Sequence, residues 1–360
     1  MSRLFDPFAH SKENIVKGIV FLGNRECEVR DFPKPEPGRG EVLIRVQATG
    51  VCGSDLHVYR GEQSSGQIRG HEPCGVVEAI GPEVTRIKAG DRVTVHHHVG
   101  CGKCPECAEG EVVACSGGKK LFGVSIPGSF AEYTVAVERN CIPLPDTVSF
   151  IDGAFMACVG GTAYGALRRL GVRPYESLAV FGLGPVGLSC VILGKALGAR
   201  VVGIDILPER IDLGKKCGAD AVVDAGNNDV VKAIKDFSRV PFRGDGVDYI
   251  IETSGATPAR QCLIPSIRRL GKIAIVGVGG TEKVINPTEI HGKACTLIGS
   301  VVFRLGWMWD LTRFLAVSGT SFEPAVTHRF ALDDAVEALR LADGGRCGKV
   351  TFLPHGESSG

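Results

Sequence analysis

The feature that most constrains this chain is a glycine turn set between two apolar strands. Leu178-Ala179-Val180-Phe181 reads as a fully buried strand and runs directly into Gly182-Leu183-Gly184-Pro185-Val186-Gly187, a G-x-G-x-x-G. Leu188 to Leu197 is helical in character. Val201-Val202-Gly203-Ile204 is a second strand, and it ends on Asp205, 18 residues after Gly187. A lone glycine motif is weak, but the order strand, turn, helix, strand, acid is specific. The glycines let the backbone approach a pyrophosphate at a helix N-terminus, and the terminal carboxylate accepts hydrogen bonds from an adenosine ribose. The expectation is a dinucleotide site on Gly182, Gly184, Pro185, Val186, Gly187 and Asp205. Asp205 would repel a 2′-phosphate and no basic residue replaces it, which argues for NAD over NADP. Arg210, a helical turn further on, could stack on adenine or hold the ribose, or simply lie on a solvated helix face.

Strand and helix keep alternating after this unit. Helices are expected over 208–217, 229–238 and 258–270, with strands at 221–223, 247–252, 272–277 and 296–300. That pattern implies an α/β fold with a doubly wound parallel sheet. The chain then returns through helices at 308–317 and 332–341 to a closing strand, 348–353, and a polar tail. A length of 360 residues favours two domains. Basic and acidic residues number 41 and 40, so no net field draws the chain to nucleic acid or to an acidic membrane. Residues 1–14 read as a loose arm without a signal-peptide core, and no apolar run is long enough to span a bilayer. Fourteen cysteines are too sparse for a disulfide scaffold, so a reducing cytoplasm is expected.

The N-terminal half is β-rich, with strands expected at 19–22, 26–29, 41–48, 74–81, 91–95 and 130–137 separated by turn signals. Two metal patterns lie within it. Cys101, Cys104, Cys107 and Cys115 are spaced C-x2-C-x2-C-x7-C, and four soft thiolates in one loop can close a tetrahedron around a structural zinc. An iron–sulfur cluster usually carries different spacing. The second pattern is Cys52-Gly53-Ser54-Asp55-Leu56-His57 followed by Gly70-His71-Glu72. Its thiolate and imidazole donors suit a zinc that keeps an open position. Between the patterns stands His96-His97-His98. In an extended segment these alternate in direction, so all three cannot ligate one metal, and His96 and His98 are expected to face solvent or hydrogen-bond at a strand end. Cys158 is a lone thiol near the end of a helical stretch from Phe150, ahead of a Gly-rich turn; small buried hydrophobes of this kind are common.

A nicotinamide needs a partner that activates a C–O bond, and an open zinc is a Lewis acid that lowers the pKa of a bound alcohol. Ser54 and His57 fit a relay that carries the proton to water, and Asp55 could orient His71.

Together, Gly50-Val51-Cys52-Gly53-Ser54-Asp55-Leu56-His57, Gly70-His71-Glu72, the four-cysteine lobe, Ala89-Gly90-Asp91-Arg92-Val93 and Gly182–Gly187 with Asp205 make the chain resemble the zinc-dependent alcohol dehydrogenases of the medium-chain dehydrogenase/reductase superfamily. The resemblance covers nearly the whole length. It implies a Rossmann domain, 159–300, inserted in a β-rich GroES-like catalytic domain formed by 1–158 and 301–360. It implies a catalytic zinc on Cys52, His71 and Cys158, with Glu72 able to exchange with water, and hence two zinc ions per chain. It places Thr162 and Gly277 among the cofactor contacts with Arg210. Sorbitol-type members carry a glutamate near Cys158, and none is present here. Liver-type members carry an arginine beside the first zinc cysteine. Here that residue is Gly53, and Lys349, in Gly348-Lys349-Val350, matches a family position that reaches the pyrophosphate. The short stretch from Cys115 to Phe130 resembles tetrameric rather than dimeric members.

The implied activity is hydride transfer between an alcohol, or its aldehyde or ketone, and NAD, with the alcohol oxygen on the catalytic zinc. His97 falls at a substrate-pocket position, where a polar group suits a polyol, and parts of the chain resemble L-threonine and polyol dehydrogenases. Phe303, Trp307 and Trp309 could wall the pocket or an oligomer contact. A reading of another class is a non-catalytic nucleotide-binding member.

Overall fold

The computed structural model describes residues 14–64, 66–241 and 243–356. The loose arm and most of the polar tail expected from the sequence therefore lie outside the described residues.

Two sheets organise the chain. The first is a six-stranded parallel sheet in the order Ala221–Asp224, Arg200–Asp205, Ser177–Phe181, Val247–Glu252, Ile267–Ile275, Thr296–Gly299. In chain order this is 3-2-1-4-5-6, the Rossmann arrangement, whose crevice opens where the order reverses, between the first and fourth strands. Ser177–Phe181 and Val247–Glu252 are buried at every position, because helices cover both faces of a parallel sheet. The helix after the glycine turn runs Pro185–Ala196, with Gly184 as its N-cap and Pro185 as its first residue, where a missing N–H costs nothing.

The second sheet has seven strands. Val326–Phe330, Lys349–Phe352, Glu41–Gly50, Pro73–Ile80, Arg92–Val95 and Cys141–Pro143 follow one another, and Tyr133–Val137 pairs with Glu41–Gly50. The two C-terminal strands thus complete the sheet begun by the N-terminal half: Thr351 lies opposite Gly50.

Three local expectations change. Residues 53–60 form a helix, Gly53–Arg60, where the sequence reading saw only a motif. The strand expected at 272–277 is longer and begins at Ile267, which ends the preceding helix at Ser266; Pro265 cannot continue a helical hydrogen-bond ladder. The Gly-rich turn after Cys158 is instead helix Val159–Leu170, bent by 59° from helix Phe150–Ala157. Gly161 and Gly165 stay helical because tertiary packing outweighs their low propensity: a Cβ on Gly161 would stand 2.3 Å from the Phe303 ring. Among the described residues no single helix is long and apolar enough to cross a membrane.

The histidine run meets one of its two expected alternatives, since His96 hydrogen-bonds at the strand end, but none of the three faces solvent. His96, His97 and His98 are all buried. His96 Nδ1 accepts from the His98 N–H at 3.2 Å, and His96 Nε2 donates to the Phe303 carbonyl at 3.2 Å. The reason is that the return segment carrying Phe303 covers this strand end; ring centroids of His96 and Phe303 are 4.6 Å apart. Burial lowers His96 to about 4 and His98 to about 3.

Both imidazoles are neutral in the folded chain and titrate near 6.5 once unfolded. Below that pH the unfolded chain binds protons the folded chain refuses, so the stability held at neutral pH is lost as pH falls from about 6.5, at up to about 1.4 kcal/mol per pH unit for each histidine. Thermal melts of the native chain and of His98→Gln between pH 7.5 and 5 are expected to show a shallower fall in Tm for the variant. Parallel slopes would contradict this account of the buried histidines.

Candidate active site

The antiparallel register brings the first metal pattern together. Thr49 lies opposite Pro73, so Cys52, just past one strand, meets His71, just before the next. Cys52 caps the helix Gly53–Arg60. Asp55 on that helix uses both oxygens: Oδ2 accepts from the Cys52 N–H at 2.9 Å, and Oδ1 lies 3.0 Å from His71 Nδ1. A carboxylate on Nδ1 fixes the tautomer and turns Nε2 outward as a metal donor. Burial opposes protonation of His71, but Asp55 and Cys52 outweigh it and hold the imidazole well above its ordinary value.

Cys158 arrives from elsewhere. It sits in the break between helices Phe150–Ala157 and Val159–Leu170, with φ −144° and ψ −80°, and so turns its thiol out of the helix pair. Its Sγ is 3.9 Å from that of Cys52. The donor atoms of Cys52, His71, Glu72 and Cys158 all lie within 4.8 Å of one another. Two thiolates on one tetrahedral zinc stand about 3.8 Å apart for Zn–S bonds of about 2.3 Å. The donor set therefore fits zinc. Contact with the Cys158 thiol, opposed by burial and helped by His71, draws the Cys52 thiol well below its ordinary value.

Glu72 is fully buried, as is Lys349, whose ammonium lies 2.7 Å from one Glu72 oxygen and 2.6 Å from the other. Burial pushes the Glu72 carboxyl up to about 8, with Lys349 pulling the other way. Burial likewise opposes the Lys349 charge, but Glu72 and Cys52 hold its pKa above the ordinary lysine value. Contact to both oxygens favours the charged pair. The structure thus places Lys349 on the carboxylate beside the metal donors.

Ser54 Oγ is 3.5 Å from His71 Nε2. His57 is exposed one turn further along the same helix, and no hydrogen bond joins it to Ser54. His97 donates Nδ1–H to the Ala157 carbonyl at 2.6 Å, and its ring lies 5.2 Å from that of His71. Burial and the neighbouring imidazoles hold His97 well below its ordinary value, so it is neutral and its Nε2 is an acceptor.

The second metal pattern also converges. Donor atoms of Cys101, Cys104, Cys107 and Cys115 lie within 4.8 Å of one another, with Cys104 and Cys115 sulfurs 3.7 Å apart. The Cys107 backbone N–H draws the Cys104 thiol down to about 6. Val112 alone is buried in the short helical turns of this lobe, so it has almost no core of its own. It docks on the return segment: Leu305 N–H donates to the Gly110 carbonyl at 2.9 Å and Arg304 to Glu111 at 2.5 Å. On the return segment Phe303 is buried against His96, Trp307 is flanked by Arg168, Arg169 and Arg304, and Trp309 is half-exposed.

A groove of about 530 Å³ connects the first site to the glycine turn. Its lining includes Cys52 and Gly53 from the first site, Gly182, Gly184, Pro185, Val186 and Gly187 from the glycine turn, and Asp205 and Arg210. Gly182 has φ +87°, and a Cβ on Gly187 would stand 1.8 Å from the Gly182 carbonyl, so both positions require glycine. Asp205 already accepts from the N–H groups of Leu183, Ile206 and Leu207. The Arg210 guanidinium lies 3.9 Å from Asp205. Thr162 sits one turn past Cys158, its N–H bonded to the Cys158 carbonyl. Gly277 packs on the Gly255 backbone, where a Cβ would come within 2.3 Å. The groove is also lined by Thr253 and Ser254, which the sequence reading missed; the available signal was the polar Thr-Ser-Gly directly after the apolar strand ending at Glu252.

Lys349→Met strands a buried carboxylate. It is expected to destabilise the fold by about 3–5 kcal/mol, and Glu72→Gln in the same chain should restore most of the loss. Chemical denaturation of both variants measures this, and equal losses would refute the pairing.

Comparison with known proteins identifies the family. The family described as "Alcohol dehydrogenase GroES-like domain" matches residues 38–146, and that described as "Zinc-binding dehydrogenase" matches 185–316. The zinc-type alcohol dehydrogenase-like protein YphC of Escherichia coli is 36% identical over 343 residues, covering 92% of this chain and 96% of its own. The L-threonine 3-dehydrogenase of Pyrococcus horikoshii is 34% identical, covering 91% and 95%. The structure of a zinc-binding dehydrogenase from Sinorhizobium meliloti, bound to NADP, superposes with a TM-score of 0.85 at 28% identity, covering 94% and 99%. The chain is an oxidoreductase that belongs to the zinc-type alcohol dehydrogenase family of the medium-chain dehydrogenases.

Proposed function

We propose that the protein is an NAD-dependent zinc alcohol dehydrogenase holding two zinc ions per chain. One is held by Cys52, His71 and Cys158 with Glu72 alongside, the other by Cys101, Cys104, Cys107 and Cys115. The observation that carries this reading is that one groove is lined both by Cys52, a member of the zinc-type donor set, and by the glycine turn with its ribose-type carboxylate Asp205. A zinc ion on the first set supplies a Lewis acid that lowers the pKa of an alcohol hydroxyl and so permits hydride transfer to nicotinamide C4. Asp55 keeps the His71 imidazole aimed and in one tautomer. Ser54 takes the substrate proton, and His57, exposed on the same helix face, passes it to water. Lys349 balances Glu72; fully buried on that carboxylate and not part of the groove lining, it is assigned to the metal end and not to the pyrophosphate as the resemblance implied.

At the cofactor end, Asp205 favours an unphosphorylated ribose, with Arg210 beside it. Thr162 and Gly277 are read as further cofactor contacts. Residues 1–158 and 301–360 form the catalytic unit and 159–300 the dinucleotide unit. The reading includes a cytoplasmic homo-oligomer, a tetramer over a dimer, as the short stretch from Cys115 to Phe130 suggests.

A second reading, oxidation of L-threonine or a polyol by the same chemistry, draws on His97. Its neutral Nε2 lies next to His71 and could accept a hydrogen bond from a second substrate group. The threonine dehydrogenase relative supports the same choice.

Elemental analysis is expected to find two zinc ions per chain; one or none at full occupancy would overturn the proposal. Cys52→Ser should abolish turnover while NADH still binds. A panel of primary alcohols, polyols and L-threonine, run with NAD and with NADP, separates the two readings. No reduced cofactor formed from any of them by the zinc-loaded protein would favour a non-catalytic nucleotide-binding role.

A further inference from the structure

Glu252 ends the central strand Val247–Glu252 and is fully buried. One of its oxygens, Oε1, accepts from the Ser254 N–H at 2.6 Å, the Ser254 hydroxyl at 2.6 Å and the Gly255 N–H at 2.7 Å. The other, Oε2, faces the Arg260 guanidinium at 3.5 Å. Arg260 lies in the first turn of helix Thr257–Ser266, where a cation opposes the helix dipole. It is held there by two carbonyls of the next loop, donating to Gly277 at 3.0 Å and to Gly280 at 2.8 Å, with Glu252 as a counter-charge that makes no hydrogen bond to it.

The first of the loops gripped in this way lines the groove, and the second packs on the first. Thr253, Ser254 and Ala256 line the groove, and the Thr253 hydroxyl donates to the Gly182 carbonyl at 2.8 Å. Ser254 packs on Gly182, where a Cβ would stand 2.9 Å from it. Through Gly277, the second loop rests on Gly255. A buried ion pair contributes little net stability compared with apolar packing, so its value here is geometric.

We infer that Glu252 and Arg260 form a positioning pair that sets how tightly the groove holds its dinucleotide, by fixing the loops 253–256 and 277–280 against the glycine turn. The inference rests on the dinucleotide reading proposed above. Glu252→Gln keeps an acceptor for Ser254 and Gly255 but removes the charge facing Arg260; Arg260→Met removes the tie to both carbonyls.

The test titrates zinc-loaded, full-length protein with NADH by nicotinamide fluorescence, with NADPH in parallel, and measures KM and kcat. Each single variant should weaken NADH binding about tenfold and raise the KM for NAD by a similar factor. The fall in kcat should be smaller, and the KM for the alcohol should hold. The double variant should be no weaker than the worse single one, because both act through one contact. Should Glu252→Gln fail to fold, Arg260→Lys keeps the charge and loses the fork that reaches two carbonyls, and it carries the same comparison. Native-like NADH affinity in the variants, or fully additive losses, would overturn the inference, whatever happens to Tm. If the native protein itself binds neither NADH nor NADPH, the dinucleotide reading falls and the positioning pair with it.

Discussion

The buried contact between Lys349 and Glu72 is what the rest of the site depends on. Cys52, Cys158 and Glu72 bring two thiols and a carboxylate together at the groove, where Glu72 is fully buried and an anionic form is costly unless matched. Lys349 supplies the match at 2.6 Å, from a strand near the far end of the chain. It can do so because Lys349–Phe352 pairs with Glu41–Gly50, the strand that delivers Cys52. The same pairing that closes the sheet therefore also balances the charge of the site.

Around that contact the labour is divided between the two sheets. The antiparallel register places Cys52 and His71 side by side, and Asp55 locks them by bonding to both. The parallel sheet opens its crevice at the reversal of strand order, where Gly182–Gly187 and Asp205 lie. Cys158 stands at the seam, in the bend between two helices that lead from one sheet to the other. A donor set and a dinucleotide groove thus meet at Cys52, which lines both.

Most strands were legible because each is short, apolar and bounded by turn residues, and the parallel sheet because Ser177–Phe181 and its neighbours are apolar at nearly every position. The glycine turn was legible because its requirement is local: no side chain fits at Gly187. The helix Gly53–Arg60 was not, since only Tyr59 and Asp55 are buried and no apolar stripe marks it. Its one signal was the reciprocal cap between Cys52 and Asp55. The burial of the histidines was illegible for a different reason: their cover, Phe303, comes from a segment two hundred residues later.

The sequence by itself determined the ligand types, the spacing of each half-site and the dinucleotide turn, because these are set by neighbouring residues and by backbone geometry over a few positions. Only the tertiary structure decided which distant groups meet them. Cys158 beside Cys52, Lys349 on Glu72, His97 next to His71 and Arg260 facing Glu252 all follow from packing. Of these, Cys158 as a ligand was implied by family resemblance, while Lys349 on Glu72 and the Glu252–Arg260 contact were not anticipated. The physical reason is that a buried charge or lone pair takes its partner from whatever the fold brings within about 3 Å, and nothing in the local sequence records that distance.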